Sequence, residues 1–148
     1  MPRDSSPTIQ EFRVRTVRVP MTEPHQTASC VITESPLVLT DVITDSRISG
    51  HSLVFTYTPA ALKPTAELIQ NLEVLVKGEV LAPAEIEQKL AKRFRLLGTQ
   101  GLVGMALAAA RHRSTGVRLG HARRDEDWWG DWLAQCRGPR ARARSAHF

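Results

Sequence analysis

The stretch Gly50-His51-Ser52-Leu53-Val54-Phe55-Thr56-Tyr57-Thr58-Pro59 decides the fold. Its apolar and aromatic residues occupy β-favouring positions as far as Tyr57, after which Thr58 offers an N-cap hydroxyl and Pro59 a residue suited to the first helical position. Upstream, hydrophobic residues recur with the spacing of strands; downstream, with that of helices. The chain therefore reads as an α+β domain in which a small sheet hands over to a helical layer at this seam. Phe55 and Tyr57, two apart, project from the same face of a strand. Two uses are open to such a pair, filling core beneath the helices or lining a pocket.

Working back from the seam, residues 48–57 form the last expected strand and Asp45-Ser46-Arg47 the turn before it. Pro36 opens residues 37–44, whose apolar side chains fall on both faces. Residues 27–33 read as a strand. Pro20 and Pro24 bracket Met21-Thr22-Glu23, which is expected to be a loop. In residues 9–19, Phe12 and Val14 are out of phase with Val17 and Val19, which predicts a bulge near Arg15-Thr16. The fold read from these segments is a three-stranded antiparallel meander, with residues 1–8 a loose lead-in.

Forward of the seam, Leu62, Ala66, Ile69, Leu72 and Val76 make one helical stripe, and Gly78 is its stop. Pro64 is expected in the first turn, where its ring meets no preceding carbonyl. A second helix opens at Pro83, carries Glu85 and Glu87 near its positive end and Lys92, Arg93 and Arg95 near its negative end, and stops at Gly98. Its buried stripe is Ile86, Leu90, Phe94 and Leu97. Residues 101–110 form a third helix, apolar nearly all round and rich in small residues, which must be buried against something.

With 148 residues the chain has length for one domain with a core. A net charge of +5 and a pI near 9.9 would suit a nucleic-acid ligand, but much of the excess is in an arginine-rich C-terminal tract. Cys30 and Cys136 lack metal-ligand spacing, so neither a disulfide scaffold nor a zinc site is expected. No apolar run reaches membrane-spanning length and no signal-peptide pattern opens the chain, which makes a cytoplasmic protein the expectation.

Several blocks hold a common spacing: Pro36-Leu-Val-Leu, Gly50-His-Ser, Phe55-Thr-Tyr-Thr-Pro59, Ala61-Leu-Lys63, Leu81-Ala-Pro83, Lys89-Leu-Ala-Lys-Arg-Phe94, and Gly101-Leu with Met105-Ala. In these the chain resembles the N-terminal capping domain of the mandelate racemase and muconate lactonizing enzyme family, within the enolase superfamily. Residues 13–28 add a weaker match. The resemblance implies a meander followed by helices, lying over the mouth of a (β/α)₈ barrel. In that family the barrel holds magnesium with three carboxylates and moves the proton next to a substrate carboxylate, in racemases, cycloisomerases and acid-sugar dehydratases. Nothing of that machinery can be placed on this sequence, so no catalytic or metal-binding residue and no cofactor is expected in it. The cap's share is specificity, and the positions implied to face the pocket are His25, Ser29, Ile32, Phe55 and Tyr57. A carboxylate substrate is implied only together with a barrel.

At Ala110 the periodicity stops, and where the family continues with an Ile-Asp pair and a Trp-Asp this chain has Arg111-His112-Arg113. Residues 9–110 are thus expected to be the capping domain. Residues 111–148 are expected to be a disordered or out-of-frame tail of a truncated or frameshifted family member, inactive alone. The alternative is a small binding module whose basic tail, with Trp128, Trp129 and Trp132, grips single-stranded nucleic acid; the acidic residues among those tryptophans oppose it. Self-association is expected through helix 101–110 and the pocket side of Phe55 and Tyr57, left uncovered without a barrel. His51, Ser52 and Asp41 could be drawn as a nucleophilic triad, but no nucleophile elbow surrounds the serine, so structural roles are expected.

Overall fold

A computed structural model describes residues 6–46 and 49–118. Three strands, β1 (Ile9–Gln26), β2 (Val31–Thr44) and β3 (Ser49–Phe55), precede three helices, α1 (Pro59–Val76), α2 (Pro83–Arg93) and α3 (Gly101–Arg118). The strands form an antiparallel sheet in the order β1-β2-β3, an open meander with the helices laid on one face. This is the α+β arrangement expected from the sequence.

The two faces of the sheet explain the phase change along β1. Phe12 and Val14 join Val38, Val42 and Val54 on the face that receives Leu62, Ile69 and Leu72 of α1 and Ala106, Ala109 and Ala110 of α3. Val17 and Val19 lie on the other face, in a smaller cluster with Leu37, Leu39 and Phe55. The register between β1 and β2 is unbroken from Glu11 to Pro20, so the bulge expected near Arg15-Thr16 is absent. A single regular strand buries opposite faces in its two halves, which imitates a bulge in the sequence pattern.

The expected loop at Met21-Thr22-Glu23 is likewise corrected. β1 runs through it, and the irregularity is a bulge: Pro20 pairs with Glu34 and His25 with Ile32, so residues 21–24 lie opposite Thr33 alone. Pro36 does not divide residues 27–33 from 37–44, because β2 passes through it. The Pro36 carbonyl accepts from the amide of Thr56 at 3.0 Å, on the β3 side. A strand residue points its carbonyl and amide to the same side, so the hydrogen that proline lacks would have faced the end of β3 and not the ladder with β1.

Thr58 caps α1 as its composition predicted, accepting from the amide of Ala60, with Pro59 at the first position; Gly78 follows the helix at φ 80°. Pro64 is inside the helix rather than in its first turn. The hydrogen bond it forgoes would end on Ala60, which is exposed to water. α2 is shorter than expected: it ends at Arg93, Phe94 is half-buried, and Leu97 is 77% exposed in the turn that follows. Ile86 and Leu90 alone of its expected stripe are fully buried. α3 runs past Ala110 to Arg118, since elongating an existing helix through residues of ordinary propensity costs little. Its Ala106, Ala109 and Ala110 are buried by α1 and β3, while Leu102 (39%) and Tyr57 (62%) of the face expected to drive self-association stay exposed.

Thr8 ties the N-terminus to the β2-β3 turn. Its amide donates to Asp45 Oδ1 (3.0 Å), its hydroxyl to Oδ2 (2.7 Å), and the Asp45 amide returns to the Thr8 carbonyl (3.1 Å). These donors, the Thr8 hydroxyl first, hold the Asp45 carboxyl below the usual carboxylate range. A depressed folded pKa contributes stability that is full above the ordinary range and is lost as pH falls through the folded value. Thr8→Val is therefore expected to raise the Asp45 titration midpoint and to flatten the acid limb, the variant being less stable than wild type near neutral pH and the gap narrowing as pH falls through the folded value. Carboxyl NMR titration and melts between pH 2 and 6 (roughly the carboxylate range) check this, and a gap that stays constant across that range would count against it.

Candidate functional site

The five candidate residues occupy two places. His25 and Ile32 are cross-strand partners near the tip of the β1-β2 hairpin, and Ser29 is in its turn. That turn is organised by Thr27, whose hydroxyl accepts from the amides of Ser29 (3.3 Å) and Cys30 (3.0 Å) and donates to the Cys30 carbonyl (2.8 Å). His25 and Ser29 are exposed and Ile32 is half-buried. β3 ends at Phe55 opposite Leu37, while β1 and β2 stay paired as far as Gln26 and Val31. The hairpin thus continues past β3 as a two-stranded arm, with Phe55 and Tyr57 at its base.

Phe55 and Tyr57 are in contact, ring centroids 4.7 Å apart and planes inclined at 56°. Phe55 is half-buried against Leu37 and Leu39, and Tyr57 is 62% exposed. Tyr57 is therefore not core beneath the helices. From Ile32 to Leu37 along β2 is about 17 Å. Alternation also places Ile32 on the helix-side face with Val38, and Leu37 with Phe55 on the other. The structure brings His25 to Ile32 and Phe55 to Tyr57, and keeps the two pairs apart.

A second polar constellation crosses the face opposite the helices. Asp41 of β2 accepts from Arg15 of β1 at 3.0 Å and meets Nδ1 of His51 of β3 at 2.7 Å. Nε2 of His51 lies 3.3 Å from the Ser49 hydroxyl. A carboxylate only accepts, so Nδ1 carries the proton it shares with Asp41. The sequence pointed to Ser52 beside His51, but Ser52 faces the helices and its hydroxyl reaches the Ala109 carbonyl at 3.5 Å. Ser49 is 5% exposed on a regular strand with no nucleophile elbow, so the chain of side chains serves as a tie across three strands. Only strand register, which places Ser49 and His51 on one face, could have found it.

Among the described residues no group of three or more His, Cys, Asp and Glu side chains converges as a metal site. Asp41, the one buried carboxylate among them, is engaged by Arg15 and His51. These residues do not fit a magnesium ion. Among the described residues no helix is long and apolar enough to cross a membrane. The tryptophan segment and arginine tract expected to form the tail lie outside the described residues beyond Arg118.

Residues 9–115 match the family described as mandelate racemase / muconate lactonizing enzyme, N-terminal domain. The chain belongs to this family. Among solved structures it is similar to an enolase from Bradyrhizobium complexed with magnesium and mandelic acid, with 40% identity and a TM-score of 0.68 over 73% of this chain and 30% of that one. An L-talarate dehydratase from a Polaromonas species, complexed with magnesium and L-glucarate, shares the fold at 17% identity and TM-score 0.69, covering 78% of this chain and 33% of its own. The L-talarate/galactarate dehydratase of Salmonella typhimurium does so at 12% identity and TM-score 0.69, covering 82% and 32%. The mandelate racemase-type capping domain is thus the part the chain shares with them, and the chain spans about a third of the length of these relatives.

Proposed function

We propose that residues 9–110 are a substrate-specificity cap for proton abstraction next to a carboxylate. In this reading the arm, with His25, Ser29 and Ile32, and its base, with Phe55 and Tyr57, contribute two separate patches to the mouth of a pocket whose reacting groups, magnesium included, come from a (β/α)₈ barrel. The carrying observation is the exposed Tyr57 ring beside Phe55, since an aromatic ring left 62% exposed stabilises the free domain little and offers an apolar surface to a ligand. Together with the mandelic acid bound by the Bradyrhizobium relative, the pair favours a 2-hydroxy acid bearing an aryl group. The arginine-rich composition beyond residue 115, where the family match ends, supports a family member whose frame is lost near there, and a downstream frame encoding barrel sequence is the observation that tests it.

A chimera tests the specificity role: residues 9–110 replace the capping domain of the Bradyrhizobium enzyme. The chimera is expected to turn over mandelate, and Tyr57→Ala in it to raise KM about tenfold, the effect of about 1.4 kcal/mol of lost contact. An unchanged KM would remove Tyr57 from the pocket.

A further inference from the structure

Tyr57 is the one described non-glycine residue with positive φ, 61°. The amide of Thr58 donates to the carbonyl of Thr56 at 2.6 Å, closing a three-residue turn over Tyr57. A γ-turn with positive φ at its centre is rare and strained, the more so with a bulky side chain there. Such strain persists only where the surroundings impose it.

Thr56 imposes it. The residue is 2% exposed, and its amide donates to the Pro36 carbonyl at 3.0 Å. Its hydroxyl lies 3.2 Å from the carbonyls of both Pro36 and Thr58, and its single proton is shared between them. Pro36 belongs to β2, and the Thr58 carbonyl accepts from Ala61 in the first turn of α1 at 3.1 Å. One buried hydroxyl therefore joins strand to helix across the base of the turn, and the turn directs the Tyr57 ring onto Phe55.

Building on the specificity reading above, we propose that Thr56 is a positioning residue: its buried hydroxyl holds Tyr57 in the left-handed turn and so fixes the Tyr57 ring against Phe55 as a preformed wall for the apolar part of a carboxylate substrate. A wall ordered beforehand does not lose rotamer freedom when the ligand arrives. The strain is a cost to the free domain that only a ligand or partner meeting the ring would justify.

Tyr57 is the only tyrosine of the chain, so 3-fluorotyrosine incorporated into the full chain gives one fluorine resonance that reports this ring. The resonance is expected to be displaced from that of free 3-fluorotyrosine by the Phe55 ring. Thr56→Val, which keeps the shape and removes the hydroxyl, is expected to shift it toward the free position, with amide spectra elsewhere unchanged. Thr56→Ser, which keeps the hydroxyl, is expected to restore it. A Thr56→Val resonance coincident with wild type, or a wild-type resonance already at the free position, overturns the proposal. Should Thr56→Val fail to fold, the pair Tyr57→Gly and Tyr57→Ala decides: both lack the ring, and glycine is expected to melt several degrees higher because it alone adopts this φ without strain. Equal melting, or alanine melting higher, overturns the proposal. None of these readings requires substrate, so they stand or fall apart from the chimera's KM.

Discussion

Supplied with magnesium and a panel of 2-hydroxy acids and acid sugars, the purified chain is expected to give no turnover above the blank. Removing a proton next to a carboxylate requires a base within hydrogen-bond reach of it and fixed positive charge where the enolate oxygen develops. The described residues supply neither in one place. Asp41 is turned to Arg15 and His51, and His51 is enclosed between Asp41 and Ser49. His25 stands on the exposed tip of the arm, with Ile32 opposite and no converging acidic group. In the chimera the same residues meet a barrel that carries base and metal site, and turnover is expected to appear. The contrast should span the whole rate enhancement of the chemistry, many powers of ten. Racemisation or dehydration by the chain alone, lost on adding a chelator, would place catalytic groups in this polypeptide and overturn the division of labour.

The seam was legible because its signals are local. Thr58 and Pro59 carry the capping chemistry in adjacent positions, and the Leu62-Ile69-Leu72-Val76 stripe repeats at the helical period, so both appear in the structure where the sequence put them. What escaped depends on contacts distant in sequence. The two phases of β1 are two faces of one strand, which only the partners on β2 and the helices distinguish. Leu97 fits the α2 stripe by spacing, yet the helix ends before it. The end of α3 was set too early because a change of composition was read as a change of structure.

The site was half legible. The aromatic pair was found from an expected strand reaching Tyr57, but β3 ends at Phe55 and the contact between the two rings is made from the turn that follows. That Tyr57 leaves the strand at positive φ follows from Thr56 reaching Pro36, twenty residues away, and no pattern within residues 50–59 carries that information. The Arg15-Asp41-His51 tie is similarly a product of register across three strands.

Replacing Ile69 by alanine is expected to destabilise the domain by about 2–5 kcal/mol, which is a large share of the roughly 5–15 kcal/mol that holds a domain together. Ile69 is fully buried in the middle of α1, in the cluster that joins Phe12, Val38 and Val42 of the sheet to Leu72 and Val76 of the helix. Shortening it opens a cavity between layers that close-packed neighbours fill only in part. The melting temperature should fall by about 15 °C, taking about 5 °C for each kcal/mol in a domain of this size. Val74, on the same helix, is 81% exposed, and Val74→Ala should change stability by less than about 0.5 kcal/mol. The pair separates packing from helix propensity, because alanine favours the helix at both positions. Urea melts of the two variants measure the difference directly, and equal midpoints would mean that the packing of α1 on the sheet does not hold the cap together.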